Sequence, residues 1–123
     1  MDEARAHAKI FSLSEQRLAA ELAADHVHLE VTMSFSEAMQ LLYVDGRVVL
    51  SIVECAVEWG LDEHIEAGRD VDLGYMGIDT LRSKYLLRSN EGNLLETPQY
   101  LFMRVSVAKH PLCKADALKS YDY

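Results

Sequence analysis

Residues 96–107 read ETPQYLFMRVSV, a stretch that is apolar almost all the way round a helix and holds a single arginine near its middle. Thr97 supplies a helix N-cap, and Pro98 falls at the first helical position, where its missing amide costs nothing. Pro111 stops the helix near His110. A surface helix keeps one wet face, but Tyr100, Leu101, Phe102, Met103, Val105 and Val107 leave almost none. Such a helix must be covered on every side. A chain of 123 residues buries only about two-thirds of its unfolded surface, so part of the covering is expected from outside it. Arg104, if enclosed, needs a carboxylate partner, either Glu96 or an aspartate of the preceding loop. A structural ion pair is the reading that suits its planar donors.

Half the residues are hydrophobic and a quarter are charged, which places the chain among globular proteins, as one domain over residues 1–123. The net charge of −8 is the wrong sign for a protein that draws affinity from phosphates, so no nucleic-acid partner is expected. The opening MDEARAHAKIF has no long apolar core, and no run approaches a membrane span. Neither a signal peptide nor a membrane partner is expected, and the location expected is cytoplasmic. Cys55 and Cys113 belong to no C-x-x-C pair and read as ordinary thiols.

Two phrases, SLSE at residues 12–15 and SFSE at residues 34–37, fit the capping box and predict helix starts. The first helix is expected over residues 13–31, with Leu18, Leu22, Val27 and Leu29 alternating with alanines that permit close packing. The second runs from Phe35 to Val44 and is stopped by Asp45–Gly46. The third runs from Val48 to Trp59, stopped by Gly60, with a core face of Val49, Ile52, Val53, Ala56 and Val57. A short helix over residues 61–67 leads into GRDVDLGYMGID, which reads as a glycine-broken loop. Asp79 then caps a helix that passes into a strand at Tyr85, Leu86 and Leu87. The turn SNEGN sends the chain back through Leu94 and Leu95 as a short β-hairpin. A last helical segment covers residues 112–123. The fold class expected is mostly α, a small helical bundle with one short β-hairpin.

Candidate chemistry is sparse. Asp25, His26 and His28 carry metal-ligating groups, but residues two apart on a helix point to different sides. His64 beside Glu63 and Glu66 reads as part of a solvated acidic face. Asp70, Asp72 and Asp79 read as turn and cap residues rather than paired acids. The glycines of GYMG are too few to cradle a phosphate. No catalytic, cofactor-binding or metal-binding residue is assigned.

The run GYMGIDTLRSKYLLRSNEGNLLETPQYLFMRVSVAKH resembles the N-terminal helical region of class I ribonucleotide reductase large subunits. The resemblance rests on Tyr75, Gly77, Thr80, Leu81, Tyr85, Leu86 and Leu87, then Glu96, Pro98 and Gln99, then Met103, Arg104, Val105, Ser106 and Val107. AAELAADHVHLEV and FSEAMQLLY extend it more weakly upstream. It implies the helical domain of such a subunit without the ATP cone or the ten-stranded catalytic barrel. Cys113 takes over no redox role. Tyr85, Glu96, Gln99 and Arg104 are then structural or interface residues. The function implied is the N-terminal piece of a split or truncated ribonucleoside-diphosphate reductase large subunit. Its partners would be a barrel-bearing chain and a radical-generating small subunit. No cofactor is expected on this chain; the whole enzyme would use nucleotide effectors and a metal-containing radical subunit. The alternatives are a non-catalytic module that regulates a complete reductase, and a remnant without a partner.

Overall fold

Local stop and start signals divide the chain into helices. The computed structural model describes the backbone of residues 2–122 and the side chains of residues 14–122. Among these residues the α-helices are α1 (Asp2–Glu30), α2 (Phe35–Val44), α3 (Leu50–Glu58), α4 (Gly74–Lys84), α5 (Pro98–Lys109) and α6 (Lys114–Asp122). Two 3₁₀ segments, Leu61–His64 and Ala67–Leu73, connect α3 to α4. No described helix is long and apolar enough to cross a membrane.

Where the sequence carries capping chemistry, the boundaries follow it. Ser34 Oγ accepts from the Glu37 amide at 3.4 Å to open α2. At its other end Arg47 N donates to Leu42 O at 2.8 Å while Gly46 takes φ +77°, a left-handed value that favours glycine. Thr97 Oγ1 accepts from the Tyr100 amide at 3.2 Å, with Pro98 following at the head of α5.

Three expectations are corrected. First, Ser12 opens nothing, because α1 already runs through it from Asp2. Second, the stretch expected to be a glycine-broken loop is helical: a 3₁₀ segment passes directly into α4 at Gly74, and Asp79 sits inside α4 instead of capping it. Gly74, at φ +74°, turns the chain between the two helices instead of breaking them. Third, the described residues form no β-hairpin. Arg88 and Leu94 form one isolated antiparallel bridge, with Leu95 N donating to Leu87 O at 3.1 Å. The Leu87 amide, which a continued ladder would send to the opposite strand, instead donates to the Glu96 side chain at 2.9 Å.

In α1 the alanines expected to permit close packing lie inward. Its buried face is Ala20, Ala24 and Val27, with Val31 buried just past its end, while Leu18, Leu22 and Leu29 are 56, 61 and 77% exposed. Alanines on the inner face allow α4 to lie close. The two helices run in the same direction, with residues 15–19 beside residues 73–76 and Glu30 ion-paired to Arg82. In α3, Ile52, Val53, Cys55 and Ala56 are buried, while Val49 and Val57 face out.

Two apolar clusters result. One gathers α2, α3, α5 and α6 around Phe35, Met39, Leu42, Leu61, Met103 and Val107. The other joins α1 to α4 and the connecting turn through Ala24, Val27, Ile78 and Leu86. Tyr100 packs against both clusters, stands edge-on to Phe35 with ring centroids 5.7 Å apart, and donates its hydroxyl to Met33 O at 2.7 Å.

The alanine-lined inner face of α1 sets up a test. Ala24→Leu overpacks a site that is 1% exposed and is expected to cost about 1–3 kcal/mol. Leu22→Ala, on the outer face, is expected to stay within about 0.5 kcal/mol. Urea denaturation of both variants reads the difference, and the reverse order would place the leucines inward.

Candidate docking site

Helix α5 meets α3, α4, α6 and the second 3₁₀ segment, so its residues decide what the molecule presents. At its head, Glu96 is fully buried and accepts from Arg104 twice, from Nε at 2.7 Å and from a terminal nitrogen at 3.2 Å. With the Leu87 amide as a third donor, the carboxylate is well supplied. The sequence expectation of a buried partner for Arg104 thus meets a bidentate pair with Glu96.

A second polar group lies elsewhere along α5. Asp70, at 0% exposure, accepts from His28 Nε2 or shares a proton with it at 2.7 Å. Its other oxygen has no hydrogen-bond partner. Burial pushes the Asp70 carboxyl above its ordinary 3.8, and His28 with the nearby Gln99 amides pulls it back only in part. Gln99 Oε1 in turn accepts from the Tyr121 hydroxyl at 2.7 Å, and that hydroxyl oxygen accepts from the Glu66 amide at 3.0 Å. Side chains from α1, the second 3₁₀ segment, α5 and α6 therefore meet around one carboxylate. Burial also raises the Tyr121 phenol.

Beside this network a groove of about 700 Å³ opens between α5 and α6. Leu101, Phe102 and Val105 form its apolar wall, Gln99 and Tyr121 lie in its floor, and Arg69 and Lys109 stand at its edge. Leu101 and Phe102 are half-buried, and Val105 is 51% exposed. Arg69 is tied to Asp122 at 2.9 Å and lies over the Tyr121 ring. The wall is the part of the all-round apolar helix that the described residues leave uncovered.

Of the residues expected at a structural junction, Glu96, Arg104 and Gln99 sit on or at the head of α5, while Tyr85 ends α4 and is 58% exposed. Among the described residues no set of three or more His, Cys, Asp or Glu side chains is arranged to hold a metal ion. His26 pairs with Glu30 at 3.0 Å, and Asp72 lies 3.6 Å from Arg17. Asp70 is the residue that sequence reasoning misplaced, as a turn former. No spacing distinguishes it from Asp72, since what sets it apart is burial. Cys55 is buried and Cys113 exposed, and both are free thiols.

The described residues thus form a helical body around a polar-anchored central helix that leaves an apolar wall open. Residues 71–123 match the ribonucleotide reductase all-alpha domain, a stretch that holds all of α5, α6 and the groove wall. The chain is 30% identical over 106 residues to the ribonucleoside-diphosphate reductase large subunit of African swine fever virus, covering 83% of this chain and 14% of that protein. It is 34% identical over 117 residues to the large subunit of Danio rerio, covering 85% and 14%. With that of Variola virus the identity is 33% over 116 residues, covering 85% and 15%. The chain belongs to the ribonucleotide reductase large-subunit family and corresponds to its N-terminal helical region. It spans about a seventh of the length of these relatives.

Both polar anchors can be tested. Glu96→Ala strands a guanidinium and the Leu87 amide and is expected to cost about 3–5 kcal/mol in urea denaturation, whereas Glu96→Gln keeps an acceptor and costs less. Equal losses would mean that the charge of Glu96 contributes nothing. For Asp70 the sign follows from its raised value: its contribution is fully present below the ordinary 3.8 and is lost as pH rises through the folded-state value. The stability of the native chain relative to Asp70→Asn should therefore fall as pH climbs from about 4 towards 7. A constant offset across that range would show that Asp70 titrates as it does in the unfolded chain.

Proposed function

We propose that this chain is the N-terminal helical piece of a split or truncated ribonucleoside-diphosphate reductase large subunit. In this reading it supports the reduction of ribonucleotides to deoxyribonucleotides when assembled with a chain that carries the catalytic barrel. The observation that carries the proposal is the open apolar wall of α5, at Leu101, Phe102 and Val105, inside the stretch matched to the all-alpha domain. Laying another polypeptide over that wall removes apolar surface from water, at about 25 cal/mol for each Å².

The role of this chain is then to hold a surface in place. The Glu96–Arg104 pair fixes the entry of α5, and the Gln99–Tyr121 bond fixes α6 beside it, so the wall is presented by a framed helix. The reacting groups, substrate pocket and nucleotide effectors would belong to the barrel-bearing chain. The radical would come from a metal-containing small subunit, which supplies the one-electron chemistry. Assembly would take place in the cytoplasm.

Co-purification from the native host, followed by a ribonucleotide reduction assay, tests the proposal. The expected result is a stoichiometric barrel-bearing partner whose activity disappears without this chain. Val105→Asp, at a half-exposed position, is expected to lose the partner while keeping its melting temperature within a few degrees. A complete reductase that slows when the chain is added would instead support a regulatory module, and recovery of the chain alone would leave a remnant.

A further inference from the structure

The pattern of α1, alanines inward and leucines outward, leaves a second surface. It lies mainly on α1 and α4, and none of its lining residues lines the α5–α6 groove. Between α1 and α4 lie two adjoining hollows of about 370 and 460 Å³ that share Ala19 and Tyr75. Ala19 and Ala23, one helical turn apart, keep the α1 side of this trough low. Its shoulders are large and apolar: Leu22 is 61% exposed, Tyr75 49% and Met76 71%. The trough follows α1 from Glu15 to His26, about three helical turns. A low floor of small residues between two helices running in the same direction is the shape that accepts a third helix.

Charge selects among possible helices. Arg17 is shared between Glu21 and Asp72, and Arg82 is bound to Glu30, so the cations along the trough are already engaged. Glu15 and Asp79 line the trough and have no cationic partner among the described residues. The surplus is negative, as in the chain at large, whose net charge is −8. A second copy of the chain would bring the same surplus against it. A cationic surface would find Coulomb attraction there, strongest at low salt.

We infer that the α1–α4 trough is a docking site for a basic amphipathic helix of a partner protein. Apolar side chains spaced three and four apart would sit over Ala19 and Ala23 between Leu22 and Tyr75. Lysines or arginines on the flanks would meet Glu15 and Asp79. This site neither depends on the reductase reading nor uses the α5 wall.

Fluorescence anisotropy with labelled synthetic peptides tests the inference on the full chain. Three probes of about 16 residues, long enough to cover the trough at 1.5 Å per residue, are compared. One is a leucine–lysine peptide with leucines at helical spacing; the second is its scramble without that spacing; the third replaces lysine with glutamate. Saturable binding of the first alone is expected, weakening as salt is raised from about 50 to 500 mM. Leu22→Gln and the double variant Glu15→Lys/Asp79→Lys, all at exposed positions, are each expected to weaken it about tenfold or more without changing the melting temperature. Equal binding of the scramble would reduce the effect to bulk charge and overturn the inference, as would equal binding of the glutamate peptide or binding of none. Sedimentation showing a dimer that Leu22→Gln dissolves would also overturn it, by assigning the trough to a second copy.

Discussion

The architecture depends on one buried carboxylate. Glu96 has no access to water, so each of its oxygens must be met by donors, and those donors come from two directions. The Leu87 amide approaches from the end of the turn after α4, and the Arg104 guanidinium from two turns into α5. Meeting both fixes where the chain enters α5 relative to where it left α4, and the Thr97 cap with Pro98 starts the helix at once. A buried pair of this kind stabilises little compared with a well-packed apolar substitute, because desolvation offsets most of the attraction. What it supplies is direction. Any other path for α5 would leave a charge stranded.

A second constraint acts through Asp70. Its carboxylate is less well provided for than that of Glu96, with one oxygen on His28 and the other without a partner. The two anchors therefore differ in kind: one is satisfied by a bidentate cation and an amide, and the other keeps an unmet cost of burial that raises its affinity for a proton. Through Gln99 and Tyr121 the second anchor reaches α6, which packs along α5. Between them these groups tie α5 to the turn after α4 and to α6 by hydrogen bonds of fixed geometry. The apolar clusters then fill the space so defined.

Features of the sequence that act over three or four residues were legible. Ser34, Asp45–Gly46, Gly60, Thr97–Pro98 and Pro111 each mark a boundary within a residue or two, because a cap or a stop is decided by the chain's immediate neighbours. The need of Arg104 for a carboxylate was legible too, since it follows from enclosing a guanidinium. Misreadings arose where a distant group took over. SNEGN has the composition of a hairpin turn, but the Glu96 side chain removes the amide a ladder requires. GYMG looks like a break until Leu73, Ile78 and Leu81 find the alanine face of α1. The alanines of α1, expected to permit close packing, do so against α4, while Leu18, Leu22 and Leu29 stay outside. In Asp70 the decisive property is depth, which no local spacing encodes.

The puzzle of the all-round apolar helix is resolved by the division of its surface. Met103 and Val107 are completely enclosed by α3 and α6, Tyr100 bridges the two clusters, and Arg104 is neutralised by Glu96. What remains is one wall, Leu101, Phe102 and Val105, beside a polar floor whose hydrogen bonds are already made within the chain. That combination matters for a surface that packs on other polypeptide. A wall with unmet polar groups would have to be matched donor for donor, whereas this one asks of its cover mainly shape and apolar area. In a member of the large-subunit family that spans about a seventh of its relatives' length, α5 can therefore be framed by its own chain and still present a dry face for further packing.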